Sequence, residues 1–256
     1  MTGSAHRLTG ASRYRERVPL VAAAVCPHPP LLVPEVAGAA AAELDPLRAA
    51  CEAALTRLLA AGPEAILLVG SGPETRSFGS ADYGSLRGYG LDRTVPLWKT
   101  GRAGADVLPL SLTVGAWLVG RTGTPLPRFA AAIADQAAPA DCEDMGVQLV
   151  ERAEARMALL VLGDGSACRG QQAPGYDDPR AGAYDESVAA ALATADAGAL
   201  LGLDPVLSAE LKVAGRAPWQ VLAGAVRAAG GDWRGELHYA EAPYGVAYFV
   251  AGWETA

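Results

Sequence analysis

A histidine set among prolines is the side chain of this sequence whose surroundings most favour chemistry. His28 follows the apolar run 21–26 and lies within Pro27-His28-Pro29-Pro30. Proline fixes its own φ and forces the preceding residue into an extended conformation, so we expect a rigidly held imidazole just after a strand. Ligands of open α/β sheets bind at the carboxyl ends of the strands. His28 is therefore predicted to be a catalytic base or a metal ligand, and the alternative is a stiff turn in which it is only structural.

Two more apolar runs, 65–69 and 157–162, are each followed by a glycine-rich polar segment. Because the carboxyl ends of parallel strands meet at one edge of a sheet, we expect both segments to lie beside His28. Asp164 is predicted to be the catalytic partner of His28, since a carboxylate beside an imidazole supports acid–base catalysis. The residues predicted to contact the substrate are Ser71, Glu74, Ser166 and Arg169.

Several common sites are not encoded. The sequence has three histidines, His6, His28 and His238, which are too few for a histidine-rich metal site. The four cysteines form no C-x-x-C pair, so we expect reduced core thiols, with Cys168 as the exception because it lies in a polar segment. The segment around Ser166 lacks the G-x-S-x-G spacing of a serine hydrolase, and the glycines at 70–72 lack the lysine of a P-loop.

Composition narrows the class of partner. With a formal net charge of -7 and no basic cluster, the chain is not expected to bind nucleic acid. No apolar run reaches the ~18 residues of a membrane span, and no apolar signal-peptide core is present near the N-terminus. We therefore expect a soluble, cytoplasmic protein that binds a small-molecule ligand and no membrane. Composition leaves a homo-oligomer open.

The hydrophobic pattern predicts a single α/β domain. A helix that begins at Asp45-Pro46 and ends before Gly62 separates the strands 21–26 and 65–69, which predicts a parallel pair with a right-handed crossover. Residues 1–18 are polar and are predicted to be a flexible N-terminal arm. Residues 19–256 are predicted to form one α/β domain with a parallel pair of strands in its sheet and a C-terminal strand hairpin.

Other elements follow from the same pattern. We predict strands at 107–112 and 157–162, helices at 114–119, 141–156, 185–201, 206–213 and 219–229, and hairpin strands at 235–239 and 246–252. The segment 70–93 is so rich in turn-forming residues that it is predicted to be an active-site loop. The segment 170–183 is either a lid over the site or an ordinary solvated loop.

Four landmarks together resemble the class III extradiol ring-cleavage dioxygenases (LigB-like) and their MEMO-like relatives. They are Pro27-His28-Pro29-Pro30, Gly70-Ser71-Gly72-Pro73, Gly163-Asp164-Gly165-Ser166, and Ala214-Gly215-Arg216-Ala217-Pro218-Trp219. Their order and spacing match across most of residues 19 to 253. The resemblance implies that residues 19–256 form a single three-layer αβα domain with a central, mostly parallel sheet and a cleft at the strand ends. In catalytic members this cleft holds ferrous iron on two histidines and a carboxylate, with a further histidine as the base.

The resemblance also implies that most metal-ligand positions are substituted here. His28 stands at the first ligand position and is the only one retained. The second histidine position falls near Gly72 or Pro73, the carboxylate or cysteine ligand near Ala214, and the catalytic histidine near Ala167. The residues that could take over as ligands are Glu74, Asp164 and Cys168.

Two functions follow from this comparison of ligand positions. One is an oxidoreductase-type enzyme acting on a small aromatic substrate, with Fe(II) or another divalent metal in a rebuilt site. The other is a metal-free, MEMO-like binding or scaffold protein that keeps the cleft without catalysis. Because one retained donor does not hold iron, we expect a degenerate site and no cofactor.

Overall fold

The computed structural model describes residues 19–98 and 106–255 of the chain. Its strands are β1 (Leu20–Cys26), β2 (Ala65–Gly72), β3 (Arg76–Phe78), β4 (Tyr83–Ser85), β5 (Thr94–Pro96), β6 (Arg128–Ala134), β7 (Met157–Leu162), β8 (Trp233–Glu241) and β9 (Tyr248–Thr255). Its α-helices are α1 (Pro34–Ala37), α2 (Asp45–Ala60), α3 (Leu110–Arg121), α4 (Pro139–Glu151), α5 (Arg180–Thr194), α6 (Ala197–Leu201), α7 (Pro205–Glu210) and α8 (Arg216–Ala229).

A seven-stranded sheet forms the centre of the fold, in the order β3-β6-β2-β7-β1-β9-β8. The four middle strands β6, β2, β7 and β1 are parallel, and β3, β9 and β8 run antiparallel to their neighbours. Strands β8 and β9 form the C-terminal hairpin. The predicted α/β class, mostly parallel sheet and terminal hairpin are therefore confirmed.

Helices cover both faces of the sheet and give the fold its three layers. One apolar core joins α2 and α3 to the sheet face that carries Ala22, Ala24 and Cys26. A second core joins α4, α5, α6 and α8 to the opposite face, which carries Ala23 and Val25. Because successive residues of a strand point to opposite faces, a continuous apolar strand such as β1 can serve both cores.

The closest helix contact lies between α4 and α8, where two glycines face the opposite backbone. A Cβ built on Gly224 would overlap the backbone carbonyl of Glu143, and one built on Gly146 would overlap the carbonyl of Val221. Neither position leaves room for a side chain. Helix α8, which begins with Arg216 at the strand ends, therefore packs on α4 through direct contact between the two helix backbones.

The predicted strand at 107–112 is wrong, because Leu110 begins α3. Pro109 precedes the first turn in an extended conformation, and nine consecutive residues, 111–119, are buried. A helix that is apolar on every side has no periodicity to separate it from a buried strand. The predicted helix at 114–119 is thus the second half of a longer one.

The predicted loop at 70–93 is also wrong in part. Strand β2 continues to Gly72, and the chain then forms β3 on the edge of the sheet and β4 within the separate pair β4-β5. The segment between β2 and β3 therefore leaves the centre of the sheet for its edge. Strand β6, which pairs with β2 and β3, was missed in the sequence.

Helix boundaries in the C-terminal half differ from the predictions by a few residues. The segment 185–201 is two helices, α5 and α6, because Ala195 adopts a left-handed conformation between them. Helix α7 begins after Asp204, whose carboxylate accepts a hydrogen bond from the backbone N–H of Leu207, as the Asp204-Pro205 pair predicts.

The described part of the chain contains no helix long and apolar enough to cross a membrane. The predicted arm at 1–18 lies outside the described residues.

Candidate functional site

Four parallel strands bring their carboxyl ends to one rim of the sheet, in the order β6, β2, β7 and β1. Ser71 is the last residue but one of β2. Asp135 follows β6, Asp164 follows β7, and His28 follows β1. This rim is the crevice in which open α/β sheets bind ligands.

His28 and Asp164 form a pair at the centre of the rim. The backbone N–H of His28 donates to Asp164 Oδ1 at 2.8 Å, and Nδ1 of the imidazole lies 3.6 Å from the same oxygen. The side chains are 8% and 14% exposed. Nδ1 is a buried atom with no hydrogen-bond partner among the described residues. The sequence-based expectation that these two strand ends converge is confirmed.

Burial raises the pKa of the Asp164 carboxyl, and the positive charge of His28 and the hydrogen bond from its backbone N–H act in the opposite direction. A carboxylate taken out of water is destabilised unless charges and donors replace the lost hydration. At Asp164, the charge and the backbone N–H of His28 replace only part of the lost hydration. Asp164 is therefore a group whose protonation responds to what binds beside it.

Replacing Asp164 with asparagine is expected to improve stability at neutral pH relative to stability in acid. Because the pKa of Asp164 is higher in the folded protein than in the unfolded chain, its contribution to stability is fully present below the unfolded pKa and is lost as the pH rises through the folded pKa. Asparagine keeps an acceptor for the N–H of His28 and does not titrate. Urea unfolding between about pH 4 and about pH 8 measures the difference. A variant that loses more stability at neutral pH than in acid would contradict the expectation.

The loop that carries Asp164 is fixed by Asp185 of α5. Both the backbone N–H and the hydroxyl of Ser166 donate to its carboxylate, at 2.9 and 2.6 Å, and Arg169 Nη1 donates at 3.2 Å. Ser166 is fully buried, and Asp185 is 3% exposed. Ser166 and Arg169 thus lie together with Asp185 and not with His28. Their predicted contact with a substrate stays a prediction.

Glu74 lies in the segment between β2 and the edge strand β3. Its side chain is 66% exposed and faces Arg76 at 3.4 Å. Ser71, in contrast, is buried, and its carbonyl accepts a hydrogen bond from the Ser111 hydroxyl at 2.6 Å. Substrate contact by Glu74 and Ser71 is not tested by these positions, but Ser71 is the one that lines the rim.

A polar pocket of about 290 Å³ lies at the same rim, where β2 and β6 end, and neither His28 nor Asp164 lines it. Its volume is that of about ten water molecules, which suits a small ligand. The residues that line it are Ser71, Asp135, Gln136, Pro205, Ser208, Ala209, Lys212, Val213, Ala214 and Arg216.

Asp135 is the site residue that sequence reasoning missed. Burial raises the pKa of its carboxyl, while a hydrogen bond from Ser71 and the charges of His28 and Arg216 lower it. Its carboxyl therefore lies in the field of the imidazole and links the pocket to the His28–Asp164 pair. The available signal was an acidic residue after the apolar run 129–134, the same arrangement that identified Asp164.

Arg216, at the start of α8, holds the chain that carries Asp135. Its guanidinium donates to the carbonyls of Asp135 and Ala137, at 2.7 and 2.6 Å, and to Gln220 Oε1 at 3.0 Å. The side chain is buried, with the residue 3% exposed. Its donors are directed to the protein, so Arg216 shapes the pocket by fixing the turn after β6.

The residues present do not fit the iron centre that the resemblance implies. Across residues 19–98 and 106–255, no group of three or more histidine, cysteine, aspartate or glutamate side chains is arranged to hold a metal ion. A facial triad needs three protein donors, and the pair supplies two.

Cys168 was predicted to be the exception among the core thiols, and this prediction is wrong. The residue is 1% exposed, and its thiol lies against the carbonyls of Gly175 and Leu211.

Comparison with known proteins supports the fold and not a function. No protein-family model matches the chain, and no curated protein matches it. Among solved structures, the fold is similar to that of the uncharacterized protein JW3007 from Escherichia coli K12, with a TM-score of 0.54 and 15% sequence identity. The match covers 91% of this chain and 99% of that chain.

Proposed function

We propose that the protein is a LigB-like member without an iron triad, which binds a small hydroxylated aromatic compound and uses His28 as the base for its hydroxyl proton. The observation that carries the proposal is the His28–Asp164 pair at the ends of two central parallel strands, with Nδ1 and Oδ1 3.6 Å apart. The polar pocket at the same rim, lined by Ser71 and Asp135, supplies room for a small ligand.

The chemistry follows from the orientation of the imidazole. A carboxylate beside Nδ1 favours the tautomer that carries its proton on Nδ1, which leaves Nε2 as the basic nitrogen. When Nε2 takes a proton from a bound hydroxyl, the charge of Asp164 stabilises the resulting imidazolium. The distance of 3.6 Å is longer than a hydrogen bond, and such pairs often shorten only when the ligand is present.

Binding of a phenolic probe to His28 can be observed directly by NMR, because the chain has only three histidines. We expect millimolar catechol to shift the ring signals of His28, identified by their loss in His28→Asn. His238→Asn is the matched control, since His238 lies on the edge strand β8. Unchanged His28 signals, or an equal response of His238, would refute the proposal.

Iron content and ring cleavage, measured on the same purified protein, distinguish the metal-free from the iron-dependent alternative. Protein purified without chelators is expected to hold well under one equivalent of iron, and anaerobic addition of Fe(II) followed by catechol and oxygen is expected to give no ring cleavage. Stoichiometric Fe(II) together with catechol-dependent oxygen uptake that disappears in His28→Ala would restore the dioxygenase reaction. A catechol complex of His28 without proton transfer would leave the MEMO-like binding protein.

A further inference from the structure

An open groove of about 870 Å³ lies on the sheet face that α4 covers, away from the rim. Its floor includes Leu67 of β2 and Phe129 of β6, which are neighbours in the register of the two strands. Met145 and Leu149 of α4 form part of its wall. None of the residues that line the polar pocket of the rim lines this groove, so the two sites are separate.

The exposure of Phe129 shows that this part of the sheet is incompletely covered. Its strand, β6, has a partner strand on each side, yet Phe129 is 48% exposed. The helix that precedes β6 packs on the opposite face of the sheet, and only three residues connect β2 to β3. An apolar groove next to an exposed aromatic ring in an inner strand is typical of a surface that another segment covers.

The charged side chains of the groove are predominantly acidic. Those that line it are Glu64, Arg76, Asp141, Asp144, Arg152 and Glu154. The guanidinium of Arg76 already pairs with two carboxylates outside the groove. Asp141 and Asp144 are exposed and form no ion pair with any residue of 19–98 or 106–255. The helix dipole favours acidic residues in the first turns of α4, but it does not account for Glu154, which follows the end of that helix.

The N-terminal segment 1–18 joins the described chain at this groove. The carbonyl of Pro19 accepts a hydrogen bond from the backbone N–H of Met157 at 2.7 Å, and Met157 lines the groove. Eighteen residues reach at most ~60 Å, whereas the seven residues of β6 span ~23 Å. The segment is therefore long enough to follow the groove from end to end. Its charged residues, apart from histidine, are Arg7, Arg13, Arg15, Glu16 and Arg17.

We propose that residues 1–18 bind in the groove of their own chain, with arginines on the acidic side chains and apolar residues on the floor around Phe129. Because the segment is covalently attached beside the groove, its effective concentration is high and weak contacts suffice. The same face of a second copy is a poorer occupant, because it would bring like acidic charges together. This inference is independent of the role proposed for His28.

The test observes the methyl groups of methionine by NMR, because two of the three methionines, Met145 and Met157, line the groove. A nitroxide is attached to the full chain through Ser12→Cys, and the four native cysteines are buried and do not react. We expect the nitroxide to broaden both methyl signals until it is reduced. Met157 lies beside Pro19 and is broadened by proximity alone, so Met145 is the decisive signal.

Asp144→Lys is expected to raise the released fraction of the segment about threefold, because an attractive surface charge pair becomes repulsive. The Met145 signal should then recover in part while that of Met157 stays broadened, which also shows that the variant is folded. Glu186→Lys is the matched control: Glu186 is an exposed acid of α5 that does not line the groove. It should leave the broadening of Met145 unchanged.

A Met145 signal that the nitroxide does not affect would overturn the inference, as would equal recovery in Asp144→Lys and Glu186→Lys. Mixing nitroxide-bearing protein without isotope label with labelled protein that has no nitroxide separates the remaining occupant. Broadening of Met145 in that mixture, as strong as within one chain, would place the segment of a second copy in the groove and overturn binding within the chain. None of these results depends on whether catechol shifts the ring signals of His28.

Discussion

Replacing Gly224 with alanine is expected to destabilise the protein by about 3 kcal/mol, the upper range for overpacking a rigid core. The added Cβ would overlap the backbone carbonyl of Glu143, and backbone atoms of a helix cannot turn away as a side chain can. Helices α4 and α8 must then separate or shift along each other. For a domain of this size, we expect the thermal midpoint to fall by about 10 °C, which a thermal unfolding curve measures directly.

Two other glycines make this a controlled experiment. Gly146→Ala meets the carbonyl of Val221 from the facing helix and should give a similar loss. Gly182 lies in α5 with nothing near its added Cβ, so Gly182→Ala should be neutral or slightly stabilising through helix propensity. If Gly224→Ala and Gly182→Ala behave alike, the direct backbone contact between α4 and α8 is not a source of stability.

The part of the site that could be predicted from sequence depends on strands with a clear end. β1 and β7 are continuous apolar runs of strand length, and each stops at proline or glycine, so their carboxyl ends were recognisable. Because parallel strands align their ends, His28 and Asp164 could be placed together without coordinates. Ser71 was placed at the same rim by the same argument.

Asp135 was not placed because the apolar run before it was not recognised as the strand β6. Four of its seven residues are alanine, which favours helix, and only its hydrogen bonds to β2 and β3 make it a strand. Missing β6 also left the course of the segment that carries Glu74 unrecognised. Without a partner strand, the segment after β2 resembled a loop over the cleft, whereas the structure directs it to β3 at the sheet edge.

Contacts between distant side chains account for the remaining differences. The sequence places Ser166 two residues after Asp164. Nothing local indicates that the backbone N–H and the hydroxyl of Ser166 both donate hydrogen bonds to Asp185. The left-handed conformation of Lys212 is equally hidden, because no glycine marks this position after the end of α7. Such features depend on tertiary packing and follow from coordinates only.

Arg216 is the residue whose loss should connect stability and binding most strongly. Arg216→Met keeps most of the apolar volume of the side chain but leaves the carbonyls of Asp135 and Ala137 and the amide oxygen of Gln220 without their donors. Each buried acceptor left unpaired costs about 1–3 kcal/mol, so we expect a total loss of about 4 kcal/mol. The turn after β6 should also relax and move Asp135 out of the pocket wall.

Urea unfolding of Arg216→Met should therefore show the largest loss among these variants, and Arg216→Lys should recover only part of it, because an ammonium cannot reproduce the planar fork of donors. Arg227 is the matched control: it lies on the same helix, is 60% exposed and pairs with Glu143 at 2.8 Å. A surface pair of this kind contributes about 0–1 kcal/mol, so Arg227→Met should have little effect. If both methionine variants unfold at the same urea concentration, the buried guanidinium contributes no more to stability than an exposed one. Arg216 then does not hold Asp135 in place.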